Sequence, residues 1–390
     1  VRFIVGFNRD RDGYEVPGAL AEEGVLSTLV TDYYHGRSIP RLGWLSHRKS
    51  SLIPASHVRP VPGALIPQLR YEATKRLGLR SAFPSHVVDD RLAKVLACES
   101  AQRPEDGLLI YSNYAWRAFR QAATKTRILF QYHPNVHVIS EAMGLDELGD
   151  RENWQRELEE VDDKRKLKEG VEVEFATGAI CASTFTARGL VMSGIPVERI
   201  RVVPYGCPSP PAVVSQQRDR VFLFVGQGVQ RKGLHLLAEA WRRLQPPGWK
   251  MRVVASRMDP LIAQTLHGLP SVTVSGPVSH AELGDLYDSA SALVLPSLVE
   301  GFGLVLGEAL ARGCSLIGTT NTGLPDLALS SPVGQVIQPG SIAELMAAME
   351  SHIAAFEDGQ VDPHANSRMA AWRSWREFRV GIRDALNKLT

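Results

Sequence analysis

Two carboxylates, Glu300 and Glu308, stand eight positions apart in the segment Pro296–Glu308, PSLVEGFGLVLGE. A carboxylate beside a glycine-rich turn can accept hydrogen bonds from sugar hydroxyls, as acidic residues do on ribose in dinucleotide folds. Gly301 and Gly303 let the backbone approach a ligand closely. The amides that open the helix after them, from Leu304, form a ready anion site. A second segment, Gly226–Gly233 (GQGVQRKG), puts Arg231 and Lys232 just before another helix start, where they can neutralise a diphosphate. The plainer readings are a capped helix with a surface Glu308 and a turn lysine. No GK[ST] follows at Walker A spacing, and Arg231 stands where GxGxxG needs its third glycine, so an NAD enzyme ranks last.

Both segments follow apolar runs that read as buried strands. Val221–Val225 (VFLFV) precedes the cationic loop, and Ala292–Leu295 precedes the acidic one. Further strands are expected at Met251–Ala255, Val272–Ser275, Ser315–Gly318 and Val333–Ile337. Helices are expected at Leu234–Leu244, Leu261–Leu266, His280–Ser289, Leu304–Arg312 and Ile342–Ser351. Continuous apolar strands separated by helices predict a parallel sheet covered on both faces, and right-handed crossovers make it doubly wound. Ligands of such sheets bind at the carboxyl ends of the strands, where both loops must lie.

The first half repeats the pattern less regularly. Strands are expected at Arg2–Phe7, Leu26–Thr31, Leu108–Tyr111, Ile128–Tyr132, Ala179–Ala182 and Arg201–Val203. Gly36–Pro67 reads as long loops or short helices. Asp146–Lys168 reads as one charged helix, with Glu160/Lys164 and Asp162/Lys166 at supportive spacing. Prolines crowd Pro204–Asp219, which makes it the linker. The fold class is therefore α/β, with domains at 1–206 and 218–365 and a helical tail at 366–390. Within the tail, Ala370–Leu389 reads as a single helix with Trp372, Trp375, Phe378 and Ile382 on one face.

The chain has 390 residues, enough for two domains. Lys and Arg number 44 against 42 Asp and Glu, a net charge of +2, which argues against a nucleic-acid partner. No run approaches the ~20 apolar residues of a membrane span, and the opening residues predict no signal peptide. The four scattered cysteines predict free buried thiols in a reducing cytosol.

Segments 221–326 resemble the donor-binding domain of GT-B glycosyltransferases of family 4. That family carries a G-R-x-x-x-x-K-G loop after a strand, and an E-G-F-G-x-x-x-x-E element. The second is complete here from Glu300 through Gly301, Phe302 and Gly303 to Glu308. Lys232 matches the lysine of the first, whereas Gln227 stands where the family has arginine, with Arg231 as a possible substitute. Ala255-Ser256-Arg257 replaces the usual Gly-x-Gly, and Tyr205 occupies a position that is often Asn. The Trp-rich tail resembles the family's return helix onto the first domain.

The resemblance implies two facing Rossmann-like domains and a metal-independent, retaining transfer from a nucleotide-diphosphate sugar, with no cofactor. Lys232 would stabilise the leaving diphosphate, and Arg231 and Gln227 would line the donor site. Glu300 would hold the donor sugar and Glu308 the ribose. Gly301, Phe302, Gly303 and Leu304 would present backbone to the donor. The first domain would cover the diphosphate with Arg9–Gly13, Gly13 included. It would also face the sugar with a histidine, for which His133 is preferred over His137, His35 and His86. The acceptor is a hydroxyl, on a glycan or a lipid-linked molecule. The basic stretch Gly36–Pro60 (Arg37, Arg41, Arg48, Lys49 and Arg59, with Trp44, Leu45 and Ile53) offers contact with an anionic membrane surface, or is a solvated loop. The expected location is cytoplasmic, with the membrane's cytoplasmic face as an alternative. A nucleotide-sugar epimerase or hydrolase and a non-catalytic partner subunit are the rival readings.

Overall fold

The computed structural model describes residues 1–38, 43–76, 85–148, 163–327 and 333–390. Seven strands come from the first half: β1 (Phe3–Gly6), β2 (Leu26–Thr31), β3 (Val58–Pro60), β4 (Gly107–Tyr111), β5 (Arg127–Gln131), β6 (Gly178–Cys181) and β7 (Ile200–Val202). They form one sheet in the order β3-β2-β1-β4-β5-β6-β7. Six come from the second half: β8 (Asp219–Gly228), β9 (Lys250–Met258), β10 (Val272–Ser275), β11 (Ala290–Leu295), β12 (Ser315–Thr319) and β13 (Gly334–Ile337). Their order is β10-β9-β8-β11-β12-β13. All the pairings are parallel. In each sheet the strand order reverses beside the first strand, which leaves a crevice at the carboxyl ends.

Helices α1 (Glu15–Glu22), α2 (Leu65–Arg76), α3 (Ser85–Gln102), α4 (Trp116–Gln121), α5 (Val136–Met143), α6 (Asp163–Phe175) and α7 (Thr184–Met192) belong to the first half. The second half adds α8 (Leu234–Leu244), α9 (Pro260–Leu266), α10 (His280–Ser289), α11 (Leu304–Ala311), α12 (Ile342–Glu357), α13 (Pro363–Ala371) and α14 (Trp375–Leu389). Polar caps set several starts: the Asn135 side chain accepts from the His137 amide at α5, and Ser183 accepts from Thr186 at α7. Among the described residues no helix is long and apolar enough to cross a membrane.

The structure corrects several expectations. The tail is two helices rather than one. Ser374 caps α14 by accepting from the Glu377 amide, and the linker residue Cys207 donates its amide to the Arg373 carbonyl at 2.6 Å. Trp372 falls in the break and is 77% exposed, so it leaves the apolar face that Phe378 and Ile382 bury. At the same crossing a Cβ on Gly206 would stand 2.5 Å from the Trp375 amide nitrogen, which excludes larger residues. The return helix does lie on the first domain: Arg379 pairs with Glu15 and Glu22 of α1, and Arg383 with Glu22 and Glu23.

Gly36–Pro67 contains the edge strand β3 and packs inward. Arg48 is buried on Asp32 at 2.6 Å, Arg59 pairs with buried Glu99, and Leu45 and Ile53 are in the core. Only Arg37 and Lys49 of its described cations are left exposed without such a partner, so the stretch is not a basic face. Asp146–Leu148 is a turn, not the start of a helix, and the described helix begins at Asp163. Glu160, Asp162 and Arg41, with the side chain of Trp44, lie outside the described residues. The cysteines are unpaired, but Cys98 is exposed while the other three are buried.

Candidate active site

The two loops singled out in the sequence meet because glycine permits it. Gly233 has φ +69°, and a Cβ there would collide with the Pro296 carbonyl. This contact brings the Arg231–Lys232 turn against the start of PSLVEGFG. The Arg231 carbonyl then accepts from the amides of Leu298 and Val299, at 2.8 and 3.1 Å. Lys232 donates to Glu300 directly, and both side chains are only 13% exposed.

The first domain closes on the same loop. A Cβ on Gly301 would lie 2.5 Å from the Tyr132 carbonyl oxygen, so glycine is needed for domain contact rather than for backbone conformation. Ser183 and Thr186, at the start of α7, donate their hydroxyls to the Gly301 carbonyl at 2.6 and 3.2 Å. The Phe302 ring packs edge-on against Tyr205, with centroids 5.5 Å apart, and Tyr205 also touches Trp375 and Phe378.

A cavity of about 420 Å³ results, with walls from both sheets. The second domain supplies Gln227, Arg231, Lys232, Ser256 and the run from Glu300 to Val305. Arg11, Asp12, Tyr132, His133 and Tyr205 come from the other side. The structure thus brings together Glu300, Lys232, His133, Gln227, Arg231, Gly301, Phe302, Gly303 and Leu304. Gln227 lies within β8, which runs on past Val225 to Gly228, and it accepts a hydrogen bond from Arg231 at 3.2 Å. Two expected residues stand apart. Gly13 is off the wall, although its neighbours Arg11 and Asp12 are on it. Glu308 lines an adjoining cavity of about 350 Å³ between α10, α11 and the linker, where the Tyr287 hydroxyl donates to it at 3.0 Å. Leu304 is shared by the two cavities.

Electrostatics separates the roles. Burial raises the Glu300 pKa, but the charges of Lys232 and Arg231 outweigh it and hold the carboxyl below its ordinary value. His133 is driven well below its ordinary pKa, first by burial and then by Arg165, Arg231, Arg11 and Lys232. Its imidazole is therefore neutral at pH 7, and Nδ1 is buried with no partner among the described residues. Arg11 lies 3.8 Å over the Tyr132 ring. Three cations thus face the cavity, a surplus suited to an anionic group.

Tyr132 and the hydroxyls of Ser183 and Thr186 were not singled out in the sequence. Their signal was slight: each sits one to five residues past a strand end, where an open sheet places its ligand contacts.

Residues 219–354 match the family described as glycosyl transferases group 1. The matched segment is about a third of the chain. It holds both the cationic loop and the Glu300–Glu308 element. The chain is 34% identical over 135 residues to glycogen synthase of Mycobacterium tuberculosis (strain CDC 1551 / Oshkosh), covering 33% of each chain. It is 29% identical over 168 residues to D-inositol 3-phosphate glycosyltransferase of Mycobacterium bovis (strain BCG / Pasteur 1173P2), covering 40% of this chain and 35% of that one. The matches thus span about a third of the length of these curated relatives. Among solved structures, sucrose-phosphate synthase from Thermosynechococcus elongatus aligns with a TM-score of 0.68 at 16% identity, over 100% of this chain and 99% of that one. Anabaena HepE in complex with UDP and glucose aligns at 0.63 and 14%, over 99% of each chain. These likenesses show the fold of the whole chain, which is GT-B: two Rossmann-like domains across a cleft.

Proposed function

We propose that the protein is a retaining glycosyltransferase that moves a sugar from a nucleotide-diphosphate donor to a hydroxyl acceptor on a glycan or a lipid-linked molecule. The observation that carries this reading is the shared cavity: Glu300 and Lys232 from one domain face His133 and Arg11 from the other.

Departure of a nucleoside diphosphate leaves negative charge on its phosphate oxygens. Lys232 and Arg231 stand beside the opening turn of α11, so charge and amides converge on one spot. Such a set stabilises the leaving group without requiring a divalent ion. Lys232 and Glu300 hold each other at the cleft. An incoming diphosphate competes for the lysine, and sugar hydroxyls then become partners for Glu300. Glu300 is ionised and can stabilise the positive charge that develops at the anomeric carbon. The neutral His133 imidazole offers a donor or acceptor to the sugar without adding charge. Glu308 follows one turn farther along α11, where a ribose would pass over Leu304.

The test is nucleoside diphosphate release from nucleotide sugars, with and without hydroxyl acceptors. Glu300→Gln is expected to lower turnover by roughly two to three orders of magnitude, the scale of losing one transition-state stabiliser. Wild-type turnover in this variant at saturating donor and acceptor would remove the assigned role. Equal release with and without any acceptor would favour a hydrolase instead.

A further inference from the structure

Asp12 follows β1 at the carboxyl end of the first sheet and lines the cleft cavity. Its backbone has φ 44°, in the left-handed region that a side chain normally avoids. Arg9 and Tyr14, at 63° and 66°, share this feature, so non-glycine strain is concentrated in one short loop. Strain of this kind persists where the surrounding structure imposes it, and it gathers at ligand sites. Glycine would relieve it at position 12, yet the chain places a carboxyl there.

That carboxyl is half satisfied. The Tyr111 hydroxyl, at the end of β4, donates to Oδ2. Oδ1 is buried with no hydrogen-bond partner among the described residues. A buried oxygen left unpaired is costly, and a substrate filling the cleft is the natural source of the missing donor.

We propose that Asp12 is a substrate-binding residue of the acceptor subsite, its Oδ1 accepting a hydrogen bond from an acceptor hydroxyl. This rests on the transferase reading of the cleft. The choice of acceptor follows from charge and position. A carboxylate repels a diphosphate, so Asp12 faces a neutral group. The donor sugar already has Glu300, on the opposite wall.

The ionisable groups around Asp12 come from every side of the cleft. Arg11 and Glu15 flank it, Tyr111 comes from β4, and Tyr132 and His133 follow β5. Tyr205 follows β7, and Arg231, Lys232 and Glu300 lie across the cleft. Burial dominates and pushes the Asp12 carboxyl up to about 7, against the pull of Tyr111, the Glu15 amide and Arg11. The carboxyl therefore becomes a full acceptor only as the pH passes neutrality.

Acceptor and donor kinetics of wild type, Asp12→Asn and Asp12→Gly test the assignment. Glycine suits the left-handed backbone, so the second variant folds even if the first does not. Both are expected to raise the acceptor KM by roughly ten- to a hundredfold, the worth of a charge-assisted hydrogen bond. Binding of the nucleoside diphosphate, followed by calorimetry, is expected not to weaken, because neither substitution removes a group that can donate to a phosphate. In wild type the acceptor KM should fall between about pH 6 and about pH 8, and this limb should vanish in both variants. Variants that match wild type in acceptor KM and pH profile, while wild type transfers sugar, would overturn the Asp12 assignment alone. A wild-type chain that binds no nucleoside diphosphate and transfers nothing would overturn the transferase reading, and the assignment with it.

Discussion

At the scale of single residues, the site is organised around the contact between Lys232 and Glu300. Both side chains are largely buried, so each offsets the desolvation of the other. Removing one partner of such a pair costs more than removing both, because it strands a buried charge. Lys232→Ala is therefore expected to destabilise the protein by about 1–3 kcal/mol in urea unfolding, a discounted value because Arg231 stands close by. Adding Glu300→Gln to Lys232→Ala is expected to restore part of the loss. Additive effects in this double-mutant cycle would show that the pair is uncoupled. Lys232, Glu300 and His133 were legible in the sequence because each lies in a loop two to five residues past the end of a strand. Asp12 was legible only as part of a polar loop. Its environment is set by Tyr111, which lies in a neighbouring strand and far along the chain.

At the scale of elements, the strands were readable and some helices were not. Buried parallel strands are nearly uninterrupted apolar runs, and VFLFV or ALVL stands out whatever surrounds it. Helix α3 buries Val88, Leu92, Ala93 and Leu96 at helical spacing, yet polar residues between them dilute the pattern. The three-residue β3 ends in a proline, which only an edge position tolerates. The break between α13 and α14 depended on a linker contact that no local pattern contains. Helix α12 carries a consequence for pH. Its His352 is fully buried among Phe222, Trp249 and Phe356, with Nε2 3.1 Å from the Ser291 hydroxyl. Burial lowers its pKa from 6.5 to about 4. The unfolded chain thus takes up a proton before the folded one does. Stability contributed by the neutral imidazole is complete above about pH 6.5 and is lost as the pH falls toward about 4, by about 3 kcal/mol in all. Melting temperature measured across this window should fall less steeply in His352→Leu than in wild type. Parallel curves would show that His352 is not the group responsible.

At the scale of the whole molecule, the question is what holds two domains over one cleft. The linker and return helix were foreseen, but the contacts at the mouth of the cleft were not, because each pairs residues from different halves of the sequence. Asp326 of the second domain accepts from the Thr184 amide at 3.1 Å, opposite the hydroxyls that hold Gly301. On the other flank the turn after α5 reaches across. Asp146 accepts from Gln230 at 2.6 Å and lies 2.9 Å from His235 Nε2, and Glu147 accepts from the Ile342 amide at 3.2 Å. Gly340 admits this turn, since a Cβ there would strike the Leu145 carbonyl. Burial opposes ionisation of Asp146, but His235, Gln230 and the Leu148 amide prevail and hold its pKa below the ordinary value. Gln230 precedes Arg231 and Lys232 in one turn, so the same carboxylate that joins the domains also steadies the cationic loop. Asp146→Ala removes that anchor and leaves Gln230 and His235 without it inside the interface. The expected result is a larger radius of gyration in solution scattering, together with weaker binding of nucleoside diphosphates and a preserved far-ultraviolet dichroism spectrum. Each domain keeps its own sheet, so secondary structure should survive even as the cleft opens. Unchanged scattering and unchanged nucleotide affinity in a folded variant would show that closure rests on the Gly301 flank alone.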